Sequence, residues 1–231
     1  MMRAAALVLG LCCAATPAAA PLEVLVSDGW PNASAVTLDP TTGNAVATHI
    51  QTNNLALAQQ ARQRFNASVF FGPLPDNHGG PTVGVFDRSH PKATGLNGLF
   101  PQWRHNLHTF LAPALPLLQD GRLFGIFVGD EIFCSNLPYS NYSAVFTELR
   151  RLVGPKPVIW TNECGHPSGW PVAMWPMSPP DLDWLSIDQY NVLDGGKEVE
   201  MAQRYWGLKD VHTKLRPHQR LLAVPGTFAC G

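Results

Sequence analysis

Carboxylate side chains close three apolar stretches in the second half of the chain. The stretches are Leu123–Glu131 (LFGIFVGDE), Val158–Glu163 (VIWTNE) and Asp183–Tyr190 (DWLSIDQY), the last of which carries Asp188. Short apolar runs of β-branched and aromatic residues are typical of strands buried on both faces. Because α/β barrels carry their chemistry at the carboxyl ends of parallel strands, we predict that Glu131, Glu163 and Asp188 converge on one site.

In a pair of carboxylic groups at such a site, one can act as general acid and the other as general base, because burial and mutual repulsion separate their pKa values. Glycoside hydrolysis uses such a pair. We predict Glu131 as general acid and Glu163 or Asp188 as base or nucleophile. Asp130 and Tyr190 would orient them. Side chains predicted to stack on or bind a sugar are Trp160, Trp170, Trp175 and Tyr190.

Each of these residues also has a structural interpretation. A strand-end carboxylate often caps a helix or accepts hydrogen bonds from a loop. Asp130 is the better cap of its pair, since Glu131 is followed by apolar Ile132 and Phe133. Tryptophans beside proline-rich loops also pack those loops.

The rest of the chain alternates strand and helix patterns. Further strands are predicted at Glu23–Ser27, Ala67–Phe71 and Leu221–Val224, and Thr82–Phe86 is either a strand or a loop excursion. Apolar residues recur at helical spacing in residues 53–65, 102–119, 140–153 and 197–215, so a helix is predicted in each range. Pro113 and Pro116 interrupt the second of these helices.

This order predicts an α/β fold with a parallel sheet, specifically a TIM-type (β/α) barrel. Six or seven strands leave the barrel incomplete at the C-terminus by a unit or two. The alternative is a doubly wound open sheet, but no glycine-rich phosphate turn follows the first strand.

Composition limits the partners and the compartment. The net charge is −1 and only 14% of residues are charged, which favours neither nucleic acid nor an anionic membrane as partner. Residues 1–20 resemble a signal peptide, with Arg3 before the apolar run Ala4–Ala15, or an N-terminal anchor in the alternative. We expect residues 21–231 to form one secreted domain.

Sequons and cysteines fit the secretory route. Asn32, Asn66 and Asn141 each begin an Asn-X-Ser sequon. Outside the signal segment the cysteines are Cys134, Cys164 and Cys230, and a disulfide between the first two would link neighbouring loops. Their spacing fits no zinc pattern.

Two short motifs resemble known glycosidases. Phe124–Glu131 (FGIFVGDE) resembles the DGIDIDWE strand of family 18 chitinase-like hydrolases, with Glu131 on the catalytic glutamate. That family's aspartates fall on Phe124, Phe127 and Gly129, so the carboxylate that assists the substrate's N-acetyl group is absent.

The second motif, Trp160–Glu163 (WTNE), is similar to the Asn-Glu pair that ends the fourth strand in the large retaining-glycosidase clan. This resemblance implies that Glu163 is the acid/base and that Asn162 contacts the substrate. The clan's nucleophile, a glutamate on the seventh strand, has no counterpart in Leu221–Thr227 (LLAVPGT).

Two rival functions use the same residues. A non-catalytic carbohydrate-binding protein would bind sugar through its tryptophan loops. A metal-dependent hydrolase would hold a divalent cation through the oxygens of Asp130, Glu131, Glu163 and Asp188. Because His166 is the only histidine close to these strand ends, zinc is disfavoured, and no cofactor is expected.

Overall fold

The computed structural model describes residues 6–7, 24–27, 49–56, 58–59, 68–76, 84–89, 97–164, 178–189 and 211–225. Its main sheet contains eight strands, β1 (Ala6–Leu7), β2 (Val24–Ser27), β3 (His49–Thr52), β4 (Ser68–Phe71), β7 (Gly125–Asp130), β8 (Val158–Cys164), β9 (Trp184–Gln189) and β10 (Arg220–Pro225), in the order β1-β2-β3-β4-β7-β8-β9-β10. A separate pair consists of β5 (Phe86–Asp87) and β6 (Gly98–Leu99), which run antiparallel.

The fold is α/β, as the sequence predicted. All neighbouring strands from β2 to β10 in the main sheet pair in parallel, and only β1 runs antiparallel to its neighbour. Among the described strands the sheet is open, because no hydrogen-bonded pair joins β1 to β10 at its two edges.

The helices follow the predicted stripes. They are α1 (Trp103–Leu111), α2 (Leu115–Gln119), a 3-10 helix (Phe133–Ser135) and α3 (Tyr139–Val153). The predicted break in the 102–119 helix is confirmed, since Pro113 lies between α1 and α2 and Pro116 occupies the first turn of α2. Residues 55–56, 58–59 and 211–214 are also helical.

The buried side chains of the strands alternate between the two faces of the sheet and form two layers of the core. Val69, Ile126, Ile159 and Leu185 belong to a cluster shared with the helices, which defines the helix-covered face of the sheet. The opposite face, here called the aromatic face, buries Phe70, Phe127, Trp160, Trp184 and Leu222, with Phe124 and Val158 packed against them. Successive side chains of a strand point to opposite faces, which produces this division.

The sheet curls strongly towards the aromatic face. Strands β4 and β9 are separated by two strands in the sheet order. In a flat sheet their side chains would lie roughly 14 Å apart, yet the ring centroids of Phe70 and Trp184 are 5.5 Å apart. The aromatic face is therefore concave, and its rings pack against each other.

One strand of the main sheet was not predicted from the sequence, and the sequence of one segment has two interpretations. Residues 49–52 were not predicted to be a strand, but they form β3 between β2 and β4. In the segment Thr82–Phe86, residues 82 and 83 lie outside the described residues, and Phe86 pairs with Leu99 rather than with a strand of the main sheet.

Among the described residues, no helix is long and apolar enough to cross a lipid bilayer. The predicted signal peptide lies outside the described residues except for Ala6 and Leu7. Asn32, Asn66 and Cys230, and the side chains of Cys134 and Cys164, also lie outside them, so the expected disulfide stays a prediction. Asn141 lies half-buried in the first turn of α3.

Candidate active site

Glu131 follows directly on β7, in a backbone conformation that residues with side chains rarely adopt. Its φ angle is 52°, in the left-handed region. Its N–H donates to the carbonyl oxygen of Asn162 at 2.8 Å, and its own carbonyl accepts the N–H of Ser135 at 3.1 Å and the Ser135 hydroxyl at 2.7 Å. These bonds fix the turn at the carboxyl edge of the sheet, where the Glu131 side chain is half-buried.

A β-bulge in β7 redirects Asp130. Phe127 pairs with Trp160 of β8, but three residues later Asp130 pairs with Asn162, only two residues further along β8. The extra residue in β7 changes which face the strand's next side chains point to. Gly129 lies within this bulge at φ 157°. The bulge therefore brings Asp130 into register with Asn162.

Asp130 is exposed and held at two points. Its Oδ1 accepts a hydrogen bond from Asn162 Nδ2 at 2.6 Å, and its carbonyl accepts one from Arg88 Nη1 at 3.2 Å. Arg88 also pairs with the carboxylate of Asp76 at 2.9 Å. Arg88 was not among the predicted site residues, and no pattern in the sequence around it marks this contact.

Asn162 and Ser186 form a buried polar pair behind Asp130. The Ser186 hydroxyl lies 2.7 Å from Asn162 Oδ1 and accepts a hydrogen bond from Trp160 Nε1 at 2.9 Å. Ser186 is fully buried and Asn162 is 7% exposed. Sequence analysis missed Ser186, although a polar residue between Leu185 and Ile187 in an apolar strand was a usable signal.

The structure corrects the position expected for Glu163. Its carboxylate is 1% exposed and does not open onto the site of Asp130. Both of its oxygens lie 3.1 Å from the backbone N–H of Phe133, and Oε1 accepts the hydroxyl of Tyr142 at 2.8 Å. Glu163 pairs in register with Ile187, a residue of the helix-covered face. The carboxylate thus fastens the 3-10 helix and α3 to β8.

Burial also changes the chemistry of Tyr142. Desolvation, reinforced by the nearby Glu163 carboxylate, raises the pKa of the Tyr142 phenol well above its ordinary value of 10. Tyr142 therefore remains a neutral donor to Glu163 at neutral pH. The sequence around Tyr142 gives no indication of this partner.

Trp160 is likewise corrected. Its indole is 1% exposed and lies in the aromatic face, with ring centroids 4.3 Å from Phe127 and 5.2 Å from Phe70. A sugar ring cannot reach an indole face that is covered by other rings. Trp160 instead contributes its N–H to Ser186.

The remaining predicted site residues are only partly within the described chain. The backbone of Asp188 pairs with Cys164 and Val224 at the end of β9, but its side chain lies outside the described residues. Trp170, Trp175 and Tyr190 lie outside them entirely. Their predicted roles stay predictions.

The strand count bears on the two resemblances. Within the described strands, β7 is the fourth parallel strand counted from β2, and β8 is the fifth. Asp130 and Glu131 therefore lie at the end of the fourth strand. The Asn162-Glu163 pair lies at the end of the fifth, one strand later than the Asn-Glu resemblance requires.

Within the described part of the chain, no three His, Cys, Asp or Glu side chains are grouped so that they could hold a metal ion. Comparisons of the chain with models of known families, with curated proteins and with solved structures find no match.

Proposed function

We propose that the chain folds as a TIM-type (β/α) barrel. The strong curvature of the parallel sheet supports this proposal, and so does the make-up of the aromatic face. Among the described residues, that face is formed only by strand residues and by Phe124 just before β7. A barrel fills its interior with strand side chains in this way, whereas a doubly wound sheet covers both faces with helices.

We propose that the protein is a secreted glycoside hydrolase in which Glu131 is the general acid. One observation carries this proposal: the backbone of Glu131 is held at φ 52°, at the carboxyl edge of the sheet, by two backbone–backbone hydrogen bonds and one from the Ser135 hydroxyl. Residues kept in sparsely populated backbone conformations cluster at active sites, where the surrounding structure over-determines them.

In this mechanism Glu131 protonates the glycosidic oxygen as the bond to the leaving sugar breaks. A second carboxylate either activates a water molecule or attacks the anomeric carbon directly, depending on its distance from the acid. Asp188 is our candidate for that carboxylate, since Glu163 is enclosed by Phe133 and Tyr142. The exposed Asp130 carboxylate would accept a hydrogen bond from a substrate hydroxyl beside Glu131.

Hydrolysis of a glycan panel by the purified full chain tests the proposal. We expect Glu131→Gln to lower turnover by about 100-fold or more, because the variant cannot supply a proton. Glu148→Gln is the matched control, since Glu148 lies on α3 in an ion-pair cluster with Arg151 and His108. Unchanged turnover in Glu131→Gln would remove Glu131 from the mechanism.

A non-catalytic carbohydrate-binding protein is the second candidate. The burial of Glu163 favours it, because one of the three predicted carboxylates is unavailable to a substrate. This candidate predicts that the wild-type chain binds a glycan without hydrolysing any member of the panel. It also predicts that Glu131→Gln leaves the dissociation constant for that glycan within about threefold.

We also propose that residues 1–20 direct the chain into the secretory pathway. Their charge and apolar pattern support this proposal. Expression of the full chain in a eukaryotic host should release protein into the medium, with a mass increased by N-glycans at one or more sequons. Deletion of residues 2–20 should retain the protein inside the cell.

A further inference from the structure

Three side chains connect the aromatic face to Asp130. Trp160 Nε1 lies 2.9 Å from Ser186 Oγ, which lies 2.7 Å from Asn162 Oδ1, and Asn162 Nδ2 lies 2.6 Å from Asp130 Oδ1. We call this series the Ser186 chain. It runs from a fully buried residue, through one that is 7% exposed, to an exposed carboxylate.

The Ser186 chain has a direction, because its first member can only donate. An indole N–H has no acceptor atom, so Ser186 Oγ must accept from Trp160. Its single hydrogen is then directed to Asn162 Oδ1 at 2.7 Å, which is closer than the alternative acceptor, the Thr161 carbonyl, at 3.2 Å. The amide of Asn162 consequently turns its NH2 group towards Asp130.

This orientation matches an ionised Asp130. A carboxylate accepts hydrogen bonds and cannot donate them, so it requires the NH2 side of Asn162. With the amide reversed, Asn162 Oδ1 would face Asp130 Oδ1, and two acceptor atoms would oppose each other at 2.6 Å. The Ser186 hydroxyl therefore selects the amide orientation that holds the Asp130 carboxylate.

The backbone fixes the other end of Asp130. The bulge in β7 brings Asp130 into register with Asn162, and Arg88 donates to its carbonyl at 3.2 Å. Glu131 is the next residue, and its N–H is bound to the carbonyl of the same Asn162 at 2.8 Å. Asn162 thus contacts both acidic residues, one through its side chain and one through its main chain.

We propose that Ser186 is a positioning residue, which acts through Asn162 to orient the Asp130 carboxylate towards a carbohydrate hydroxyl beside Glu131. This inference rests on the proposed function, because it assigns Asp130 to the same site as the general acid. Ser186 itself is fully buried and does not touch the substrate.

Side-chain amide signals of Asn162 in the full chain test the geometry without any substrate. In the ¹H–¹⁵N spectrum of the wild type we expect a downfield, slowly exchanging Asn162 Nδ2 proton, because it is bound to a carboxylate. Ser186→Ala should move this signal towards ordinary amide positions and speed its exchange with solvent. Asp130→Ala should do the same, and the exposed position of residue 130 lets this variant keep its fold.

Ser178→Ala is the matched control. Ser178 is also a fully buried serine, hydrogen-bonded to Gln219 ahead of β9, away from the carboxyl edge. It should leave the Asn162 signal at its wild-type position. The proposal is overturned if Ser186→Ala or Asp130→Ala leaves the Asn162 signal unchanged.

Kinetics on any glycan that the wild type hydrolyses give the second measurement. Misplacement of a positioned group lowers turnover, so Ser186→Ala should reduce kcat by roughly 10- to 100-fold with KM changed less than about threefold. An unchanged kcat would overturn the positioning role. If the wild type hydrolyses no glycan, the proposed hydrolase function fails, and the spectroscopic result alone decides whether Ser186 orients Asp130.

Discussion

The hydroxyl of Tyr142 donates to the buried carboxylate of Glu163 at 2.8 Å, linking α3 to β8. The same carboxylate accepts the backbone N–H of Phe133. Phe133 begins the 3-10 helix two residues after Glu131. Glu163, which the sequence suggested as a catalytic residue, therefore holds in place the turn that carries the proposed acid.

Removal of this hydroxyl should destabilise the protein. In Tyr142→Phe the buried carboxylate loses one of its donors, so we expect the free energy of unfolding to fall by about 1–3 kcal/mol. Urea denaturation followed by tryptophan fluorescence measures the change. Tyr139→Phe is the control, since Tyr139 is only half-buried, and it should cost less than about 0.5 kcal/mol. Equal losses in the two variants would contradict the structural role of the Tyr142–Glu163 bond.

Alkaline pH should weaken the fold through the same tyrosine. Burial raises the pKa of Tyr142 in the folded state above the value of 10 expected in the unfolded state. A raised folded pKa contributes stability that is complete below pH 10 and is lost as the pH rises from there towards the folded pKa. Across that window the wild type should lose about 1.4 kcal/mol per pH unit relative to Tyr142→Phe. Parallel stability curves for the two proteins above pH 10 would refute the assignment.

At acid pH, Glu148 should contribute a separate loss of stability. Hydrogen bonds from Arg151 and then His108 lower the pKa of Glu148 from 4.5 to about 2. A lowered folded pKa contributes stability above pH 4.5 that is lost as the pH falls towards 2. Since Arg151 and His108 are largely solvent-exposed, we expect Glu148→Gln to cost only about 0.5–1 kcal/mol at pH 7.

Stability measured at several pH values distinguishes this effect from a packing defect. The difference between wild type and Glu148→Gln should shrink as the pH falls from 4.5 towards 2, where about half of the Glu148 carboxyl groups are protonated. It should also shrink at neutral pH in about 1 M salt, which screens exposed charges. A difference that is independent of pH and salt would show that Glu148 acts through packing instead.

Apolar runs and helical stripes were sufficient to locate most elements of the fold. β7 and α3 lie within two residues of their predicted bounds because each buries a regular pattern of large side chains. β3 was missed because His49–Thr52 has one strongly apolar residue, Ile50. Its pairing depends on β2 and β4, which lie beside it in the sheet but are separated from it by long stretches of sequence.

The candidate site was harder to predict because it depends on which face of the sheet each side chain points to. Alternation in β8 alone places Glu163 on the face opposite Trp160 and Asn162, so its position was accessible from the sequence. The face to which Asp130 points could not be predicted in this way, because the bulge after Phe127 reverses the alternation. Glycine at position 129 is compatible with a bulge but does not specify one.

Close contact between β7 and β8 makes Gly125 a sensitive position. A Cβ atom at residue 125 would lie 2.0 Å from the carbonyl oxygen of Val158 and 3.0 Å from the ring of Phe70. Gly125→Ala should therefore force the strands apart and cost about 3 kcal/mol of stability. Gly98→Ala is the control, since no heavy atom lies within 4 Å of its added Cβ, and it should change stability by less than about 0.5 kcal/mol. Similar effects of both substitutions in urea denaturation would contradict this packing.

The left-handed backbone of Glu131 predicts that glycine at this position gives a more stable protein than alanine does, although neither variant is active. At φ 52° a residue with a Cβ atom is strained by about 1–2 kcal/mol, whereas glycine adopts this conformation freely. We therefore expect Glu131→Gly to be more stable than Glu131→Ala by about 1 kcal/mol in urea denaturation. Both variants lack the proposed acid and should lose hydrolysis equally.

Asn136 provides the comparison for this prediction. It also has a positive φ, 65°, but asparagine tolerates the left-handed region better than glutamate does. Asn136→Gly should therefore gain less stability over Asn136→Ala than the corresponding pair gains at Glu131. If Glu131→Gly is no more stable than Glu131→Ala, the turn is not strained, and the observation that carries the proposed active site is lost.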